Sequence, residues 1–206
     1  MRKTTTLAML STAILALAPA AKAQDVNRTG KTDVYLGVLG GLASGTATVT
    51  DLGFPFTSQP FNAAELGIVG GVRYNHNDWL LGVEADINTN LSNSVPPVPF
   101  FPPYGFTEDD GSGHLRGLVG RQVGPIALFL TGGLAGTHIK YNNLNGGVDD
   151  KVMLGWTAGI GAEYAATEHL AVRLEALHDE TSSVFSDGYN GKWIENTVRV
   201  GAIFKF

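Results

Sequence analysis

The strongest constraint on this chain is an alternation of apolar and polar residues with a period of two, repeated along the sequence. Such a period is typical of β-strands, because successive side chains of a strand point to opposite faces. The alternation occupies eight segments, at residues 34–43, 66–74, 79–88, 114–121, 126–139, 152–164, 169–179 and 193–206. The pattern therefore predicts an all-β protein with eight strands.

The connections between these segments are alternately long and short. The tight turns are residues 75–78, 122–125 and 165–168, and the long polar connections are residues 44–64, 89–113, 140–151 and 180–192. Every proline after residue 23 falls in a long connection except Pro125, which falls in a turn. Since proline cannot donate a ladder hydrogen bond, we expect none inside a strand. Short turns between neighbours predict an antiparallel, up-and-down arrangement.

The two faces of the predicted strands differ in polarity. One face is apolar nearly throughout, with residues such as Leu36, Leu81 and Val200. The opposite face carries five cations and five anions, interleaved with glycine and threonine. We expect these ten residues to form an ion network inside a barrel: Arg73, Glu84, Asp86, Arg116, Glu163, Arg173, Glu175, Glu195, Arg199 and Lys205.

Two architectures bury such a pattern: a soluble barrel with its apolar face inside, and a membrane barrel with its apolar face in lipid. Equal numbers of cations and anions on one face favour the membrane barrel, because a closed interior requires a partner for every ion. Glycine favours it too, since many of the 27 glycines share the charged face. An eight-stranded barrel is only just wide enough for side chains, so long ions need small neighbours.

Aromatic residues collect at the strand ends beside the short turns. They are Tyr74, Trp79, Tyr164, Phe204 and Phe206. Aromatic side chains favour the headgroup zone of a membrane, so these residues predict a girdle on the periplasmic side. The fold expected is an eight-stranded antiparallel up-and-down transmembrane β-barrel with short periplasmic turns and four long extracellular loops.

The first 23 residues indicate a secretory signal. Arg2 and Lys3 precede an apolar stretch at residues 7–18, which is shorter than the roughly 20 residues of a membrane span. An Ala-Lys-Ala sequence ending at Ala23 then fits a cleavage site. We expect cleavage between Ala23 and Gln24, which leaves a barrel domain of residues 24–206.

Composition excludes several classes of function. The chain has no cysteine, which rules out disulfide scaffolds, thiolate metal sites and cysteine nucleophiles. Its formal net charge of −5 gives no basic patch for a nucleic-acid partner. Gly159 and Gly161 lie inside a predicted strand with no helix after it, so they are not a dinucleotide fingerprint. We predict no catalytic, cofactor-binding or metal-binding residues.

Four stretches of sequence resemble a known family. They are residues 78–86 (DWLLGVEAD), 131–135 (TGGLA), 155–164 (GWTAGIGAEY) and 197–206 (TVRVGAIFKF). Together they resemble the porin-family small outer-membrane β-barrel proteins of alpha-proteobacterial type, which are similar in shape to OmpA and OmpX. The resemblance covers nearly the whole mature chain. It implies a location in the bacterial outer membrane, with Phe206 as part of the signal read by the barrel-assembly machinery.

Because a fold does not specify a function, three functions stay open. The first is a structural and surface role, with outer-membrane lipid and lipopolysaccharide as partners and a host or surface ligand held by the loops. Residues 96–106, rich in proline and aromatic residues, are the candidate contact, although such loops are often simply variable. The second is a narrow porin-like channel, which ten interior charges disfavour.

The third function is a lipid-modifying or peptide-cleaving enzyme. Such chemistry needs a histidine beside a nucleophile or carboxylate. The candidates are His138, His76 with Asp78, and His178 with Asp179 and Ser182. Adjacent residues of a strand point to opposite faces, so His178 and Asp179 do not form a pair. We predict that the protein is not an enzyme.

Overall fold

The computed structural model describes residues 30–51, 54–94, 105–142, 147–186 and 188–206, which form eight strands closed into a barrel. The strands are β1 (Lys31–Asp51), β2 (Phe54–His76), β3 (Trp79–Ser94), β4 (Gly105–Val123), β5 (Ile126–Asn142), β6 (Val148–Ala165), β7 (Leu170–Val184) and β8 (Asn190–Lys205). Each strand pairs antiparallel with the next, and β8 pairs with β1. The predicted eight-stranded up-and-down barrel is confirmed. In the described residues, no helix is long and apolar enough to cross a membrane.

Three tight turns and both chain ends of the barrel lie at one end, here called the turn end, and the opposite end is called the loop end. Asn77, in the β2–β3 turn, has φ 47°, and Gly124, in the β4–β5 turn, has φ 60°. Both residue types enter the left-handed region at low cost, so these turns suit their sequences. Phe206 closes the turn end, where its amide donates to the Val34 carbonyl at 2.9 Å.

The strands extend further toward the loop end than the alternation predicted. β1 continues to Asp51 and β2 begins at Phe54, where we expected a connection over residues 44–64. The other three long connections shorten in the same way. Beyond Leu42 the outward residues of β1 become serine and threonine, so the apolar signal stops although the backbone pairing goes on.

Two prolines lie inside β2, and the expectation that strands contain none is wrong. They are Pro55 and Pro60. The described pairing of β2 with β3 begins at Asn62, so in this register Pro60 pairs only with β1, opposite Thr46. A strand with one neighbour has positions that need no ladder donor, and proline is tolerated there.

The outward face of the wall is apolar and the inward face is mixed. Large outward residues such as Leu36, Leu81 and Val200 stay exposed. Inside, three clusters of apolar residues accompany the charged residues: one at the loop end around Phe61 and Trp193, and two toward the turn end, around Tyr35 and around Phe129. The sequence pattern missed these clusters, because isolated apolar residues on a polar face do not form a pattern.

Candidate functional site in the barrel interior

The structure places all ten residues of the expected ion network inside the barrel. None is more than 6% exposed. They come from six strands: Arg73 from β2, Glu84 and Asp86 from β3, Arg116 from β4, Glu163 from β6, Arg173 and Glu175 from β7, and Glu195, Arg199 and Lys205 from β8. Inward positions on facing strands therefore converge on the barrel axis.

Glu163 is the centre of the network nearest the turn end. Its carboxylate lies 3.1 Å from Arg73 Nη2, 2.5 Å from Lys205 Nζ and 3.2 Å from Arg173 Nη2. One buried carboxylate therefore meets three buried cations. Charge-assisted hydrogen bonds of this kind satisfy the cations that the closed interior removes from water.

In the middle of the barrel the arrangement is the opposite: one buried cation, Arg116, meets three carboxylates. Its guanidinium lies 2.7 Å from Glu84 and 2.8 Å from Asp86, and it also donates to Glu175. Glu84 in turn accepts from Arg173 Nη1 at 2.8 Å. This tier therefore links the carboxylates of β3 and β7 across the interior.

Toward the loop end, Asp86 is shared by a third group of side chains. Arg199 Nη1 donates to it at 3.0 Å, and His114 Nδ1 lies 2.8 Å away. The other ring nitrogen of His114 lies 3.2 Å from Asp179, and Arg199 also contacts Glu175 at 3.2 Å. The network thus runs continuously from Lys205 of the turn end to Asp179.

The buried carboxylate of Glu195 accepts hydrogen bonds from neutral donors. Trp193 Nε1 and Thr197 Oγ1 each donate to its carboxylate at 3.2 Å. Hydrogen bonds to neutral groups satisfy a buried carboxylate less strongly than ion pairs do.

The structure adds four buried acidic or histidine residues to the expected ten: Asp33, Glu65, His114 and Asp179. Of these, Asp179 continues the polar phase of its predicted segment at the strand end, and the other three were missed. Glu65 lies at the edge of a predicted connection and Asp33 directly before a predicted segment, so parity within the segments did not include them. The expected equality of charge is therefore wrong: the described interior holds eight buried carboxylates and five buried Lys or Arg side chains, together with His114.

Inward glycines make room for the long side chains. Tyr35 crosses the interior and donates from its hydroxyl to Glu84 at 2.7 Å. A Cβ at Gly71 would lie 2.5 Å from that hydroxyl. Outward Gly117 is different, because the nearest atom to an added Cβ would be 3.8 Å away. The inward position requires glycine and the outward one does not.

An aromatic cluster fills the interior at the loop end. Phe61 stacks on Trp193 with ring centroids 4.0 Å apart, and Tyr141 stacks on Phe185 at 3.9 Å. These side chains come from β2, β5, β8 and the residue that follows β7. They pack against Met153 and other buried apolar residues. The ion network is therefore covered toward the loop end by an apolar layer.

The five aromatic residues of the expected girdle lie outward at the turn end. Trp79 and Phe206 are 56% and 67% exposed, and Phe204 packs edge-on against Phe206 at 5.1 Å. Tyr74 is exposed and Tyr164 is partly buried. The His169 ring also stacks on Phe204 at 6.0 Å, a contact that the strand pattern did not reveal.

Residues 8–206 match the family model described as outer membrane protein beta-barrel domain. The chain belongs to this family. It is similar to a 25 kDa outer-membrane immunogenic protein of Brucella ovis, 32% identical over 157 residues that cover 71% of this chain and 72% of that protein. It is also similar to a 22 kDa outer membrane protein of Rhizobium leguminosarum bv. viciae, 28% identical over 176 residues that cover 82% and 76% of the two chains.

The chain is also similar to a solved structure at low identity. The crystal structure of Ail, the attachment invasion locus protein of Yersinia pestis, matches with a TM-score of 0.47 and 14% identity, over 86% of this chain and 99% of that one. The resemblance drawn from the sequence and the location in the bacterial outer membrane are confirmed by the family match and the relatives. The apolar outward wall is therefore the lipid-facing surface of an outer-membrane barrel.

The histidines considered for catalysis lie at separate places on the outer-membrane barrel. His178 faces outward, 2.9 Å from Asn196, whereas Asp179 faces inward to His114. The two adjacent residues therefore point apart, as predicted. His138 Nε2 lies 2.7 Å from Asp150.

His76 lies at the turn end, where its Nε2 is 3.2 Å from Asn77 Nδ2. His76 also stacks on the Tyr74 ring at 6.2 Å, and the His178 ring lies 5.3 Å from that of Trp156. The signal at residues 1–23, with its cleavage between Ala23 and Gln24, lies outside the described residues, as does the proline-rich stretch 96–104. These stay predictions.

Proposed function

We propose that this protein is a structural protein of the outer membrane, closed to solutes, that holds its loop-end segments at the cell surface. The filled interior carries the proposal. Buried ions occupy the barrel from the turn end to its middle, and the aromatic cluster around Phe61 and Trp193 fills the loop end. An eight-stranded barrel filled with side chains leaves no aqueous path of the kind that larger porins have.

Several further expectations belong to this proposal. Residues 1–23 direct the chain out of the cytoplasm and are removed, and Phe206 contributes to recognition by the barrel-assembly machinery. Lipid and lipopolysaccharide surround the wall, and a host or surface ligand contacts the loop end. The immunogenic outer-membrane relatives support exposure of such a surface, since their names describe proteins that an immune system meets.

Conductance of the purified, refolded protein in planar bilayers tests the closed interior. We expect no steady current above that of protein-free bilayers, with a 16-stranded porin as the positive control. As a matched comparison, a variant with both Phe61→Ala and Trp193→Ala removes the stacked pair but keeps the ion network, so its current should also stay at the level of protein-free bilayers. Large, reproducible openings from the parent protein would replace our proposal with the narrow-channel function.

A surface-labelling experiment tests the orientation that this role requires. An epitope inserted between Asp51 and Phe54 lies at the loop end, whereas the same epitope between Asn77 and Asp78 lies at the turn end. In intact cells, antibody should label only the first variant, and after permeabilisation it should label both. Labelling of the turn-end epitope in intact cells would contradict the proposed role.

An assay for lipid A deacylation in membranes tests the enzymatic alternative. We expect the same lipid A composition with the parent protein and with a His178→Ala variant. A deacylated product that depends on His178 would mean that the protein is a lipid-modifying enzyme.

A further inference from the structure

The outward wall contains an apolar groove of about 640 Å³. It runs between two rows of outward side chains that follow the strand pairing around the barrel. The first row is Trp79, Arg121, Leu128, Ala162 and Leu174. The second row is Val119, Leu130, Ile160, Ala176 and Val198. Small side chains in both rows leave room between larger neighbours.

The course of the groove matches one leaflet of a membrane. The first row starts at Trp79, the first residue of β3, and reaches Leu174, the fifth residue of β7. It therefore crosses four strand spacings, about 19 Å in all. With strands tilted by roughly 40°, the row rises by about 12 Å, which is within the roughly 15 Å of one leaflet. The turn end faces the periplasm in barrels of this class, so the groove lies in the periplasmic leaflet.

Among the residues that line this groove, one carries an outward charge, and it lies near the turn end. Arg121 has a side chain that is 63% exposed, and its Nη2 lies 3.7 Å from Asp78, which is equally exposed. A long ion pair between exposed side chains is weak, so the guanidinium can exchange this partner for another anion. Glu175 also lines the groove, but it is fully buried and pairs with Arg116 inside the barrel.

We propose that this groove binds one anionic glycerophospholipid of the periplasmic leaflet. Its phosphate pairs with Arg121, whose planar guanidinium suits two phosphate oxygens at once. One acyl chain lies between the two rows, and Trp79 packs beside the glycerol region, as interfacial tryptophans do. This inference depends on the outer-membrane location and on the orientation of the barrel. It is independent of any surface role.

Quenching of Trp79 fluorescence by brominated lipid tests the site directly. A Trp156→Phe background removes the other exposed tryptophan, whereas Trp193 is buried inside the barrel. The protein is refolded into phosphatidylcholine vesicles that contain the same mole fraction of either brominated phosphatidylglycerol or brominated phosphatidylcholine. We expect phosphatidylglycerol to occupy the site about fivefold more strongly, the effect of one well-placed cation at a membrane surface.

Substitutions separate the headgroup contact from the acyl-chain contact. Arg121→Gln should abolish the preference for phosphatidylglycerol, and Arg121→Lys should retain most of it. Ala162→Leu fills the groove and should lower quenching by both lipids. Ala85→Leu adds the same bulk to an outward position outside the two rows and should leave quenching unchanged.

Folding of each variant is checked by the difference in gel migration between heated and unheated samples. Equal quenching of the parent by the two lipids would overturn the proposal, as would a preference that persists in Arg121→Gln. If Ala162→Leu and Ala85→Leu behave alike, the acyl chain does not lie in the groove, and the proposal fails in that part.

Discussion

Removal of one buried cation should destabilise the barrel strongly. Arg173 is fully buried, 2.8 Å from Glu84 and 3.2 Å from Glu163, and its guanidinium carbon lies 5.4 Å from the centre of the Tyr35 ring. Arg173→Met keeps an unbranched apolar stem but removes the guanidinium, which leaves two buried carboxylates short of a cation. Breaking such a buried pair costs about 3–5 kcal/mol, or about two to four orders of magnitude in the unfolding equilibrium.

A compensating substitution shows whether charge is the cause. The double variant Arg173→Met with Glu84→Gln removes one charge of each sign. Because the two side chains are in contact, its free energy of unfolding should fall by about 1–3 kcal/mol less than the sum of the two single effects. Lys192→Met is the matched control, since Lys192 pairs with Glu180 at 2.8 Å near the surface and its loss should cost at most about 1 kcal/mol.

The measurement is equilibrium unfolding in urea of the protein refolded into lipid vesicles. Tryptophan fluorescence and gel migration of unheated samples supply two independent signals of the folded barrel. Equal losses for Arg173→Met and Lys192→Met, or strict additivity in the double variant, would refute the idea that the network acts through charge compensation.

Three further outcomes follow from the packing. Gly71→Ala places a Cβ against the Tyr35 hydroxyl and should lower the folded fraction in refolding assays, whereas Gly117→Ala should fold like the parent. Equal folded fractions of the two variants would contradict the steric argument. Trp193→Ala should lower the free energy of unfolding by about 3–5 kcal/mol in urea titrations. An unchanged free energy of unfolding would mean that the loop-end cluster is dispensable. Deletion of Phe206 should reduce assembled protein in cells while refolding in vesicles stays efficient; loss of both would mean that the residue serves stability alone.

The sequence predicted the parts of the barrel that lie in lipid, because the rule there is that every outward side chain is apolar. Leu36, Leu81 and Val200 follow that rule, and alternation located all eight strands. The rule ends where the outward residues become polar. Ser44 and Thr46 are outward residues of a paired strand, but their polarity matches that of a loop, so the loop-end extensions were not predicted.

Predicting the interior required assigning the inward positions correctly. Parity placed the ten residues of the expected network inside, but Glu65 lay between the predicted connection 44–64 and the predicted segment 66–74 and was missed. His114 lay inside a predicted segment without a pattern to mark it as a bridge between Asp86 and Asp179. Contacts across the barrel depend on which strands face each other, and local alternation does not contain that information.

The strand pairing beyond Leu42 has a consequence for which substitutions this protein tolerates. Its inward side is held by buried Ala47 and Val49, whereas Ser44 and Thr48 on the outward side are not part of the buried core. Over nine residues, at about 3.3 Å each and a tilt of roughly 40°, β1 rises about 23 Å from Leu42 to Asp51. Substitutions at the outward positions of this stretch should cost little stability. We therefore expect variation among strains to concentrate at these outward positions, and the buried residues between them to stay constant.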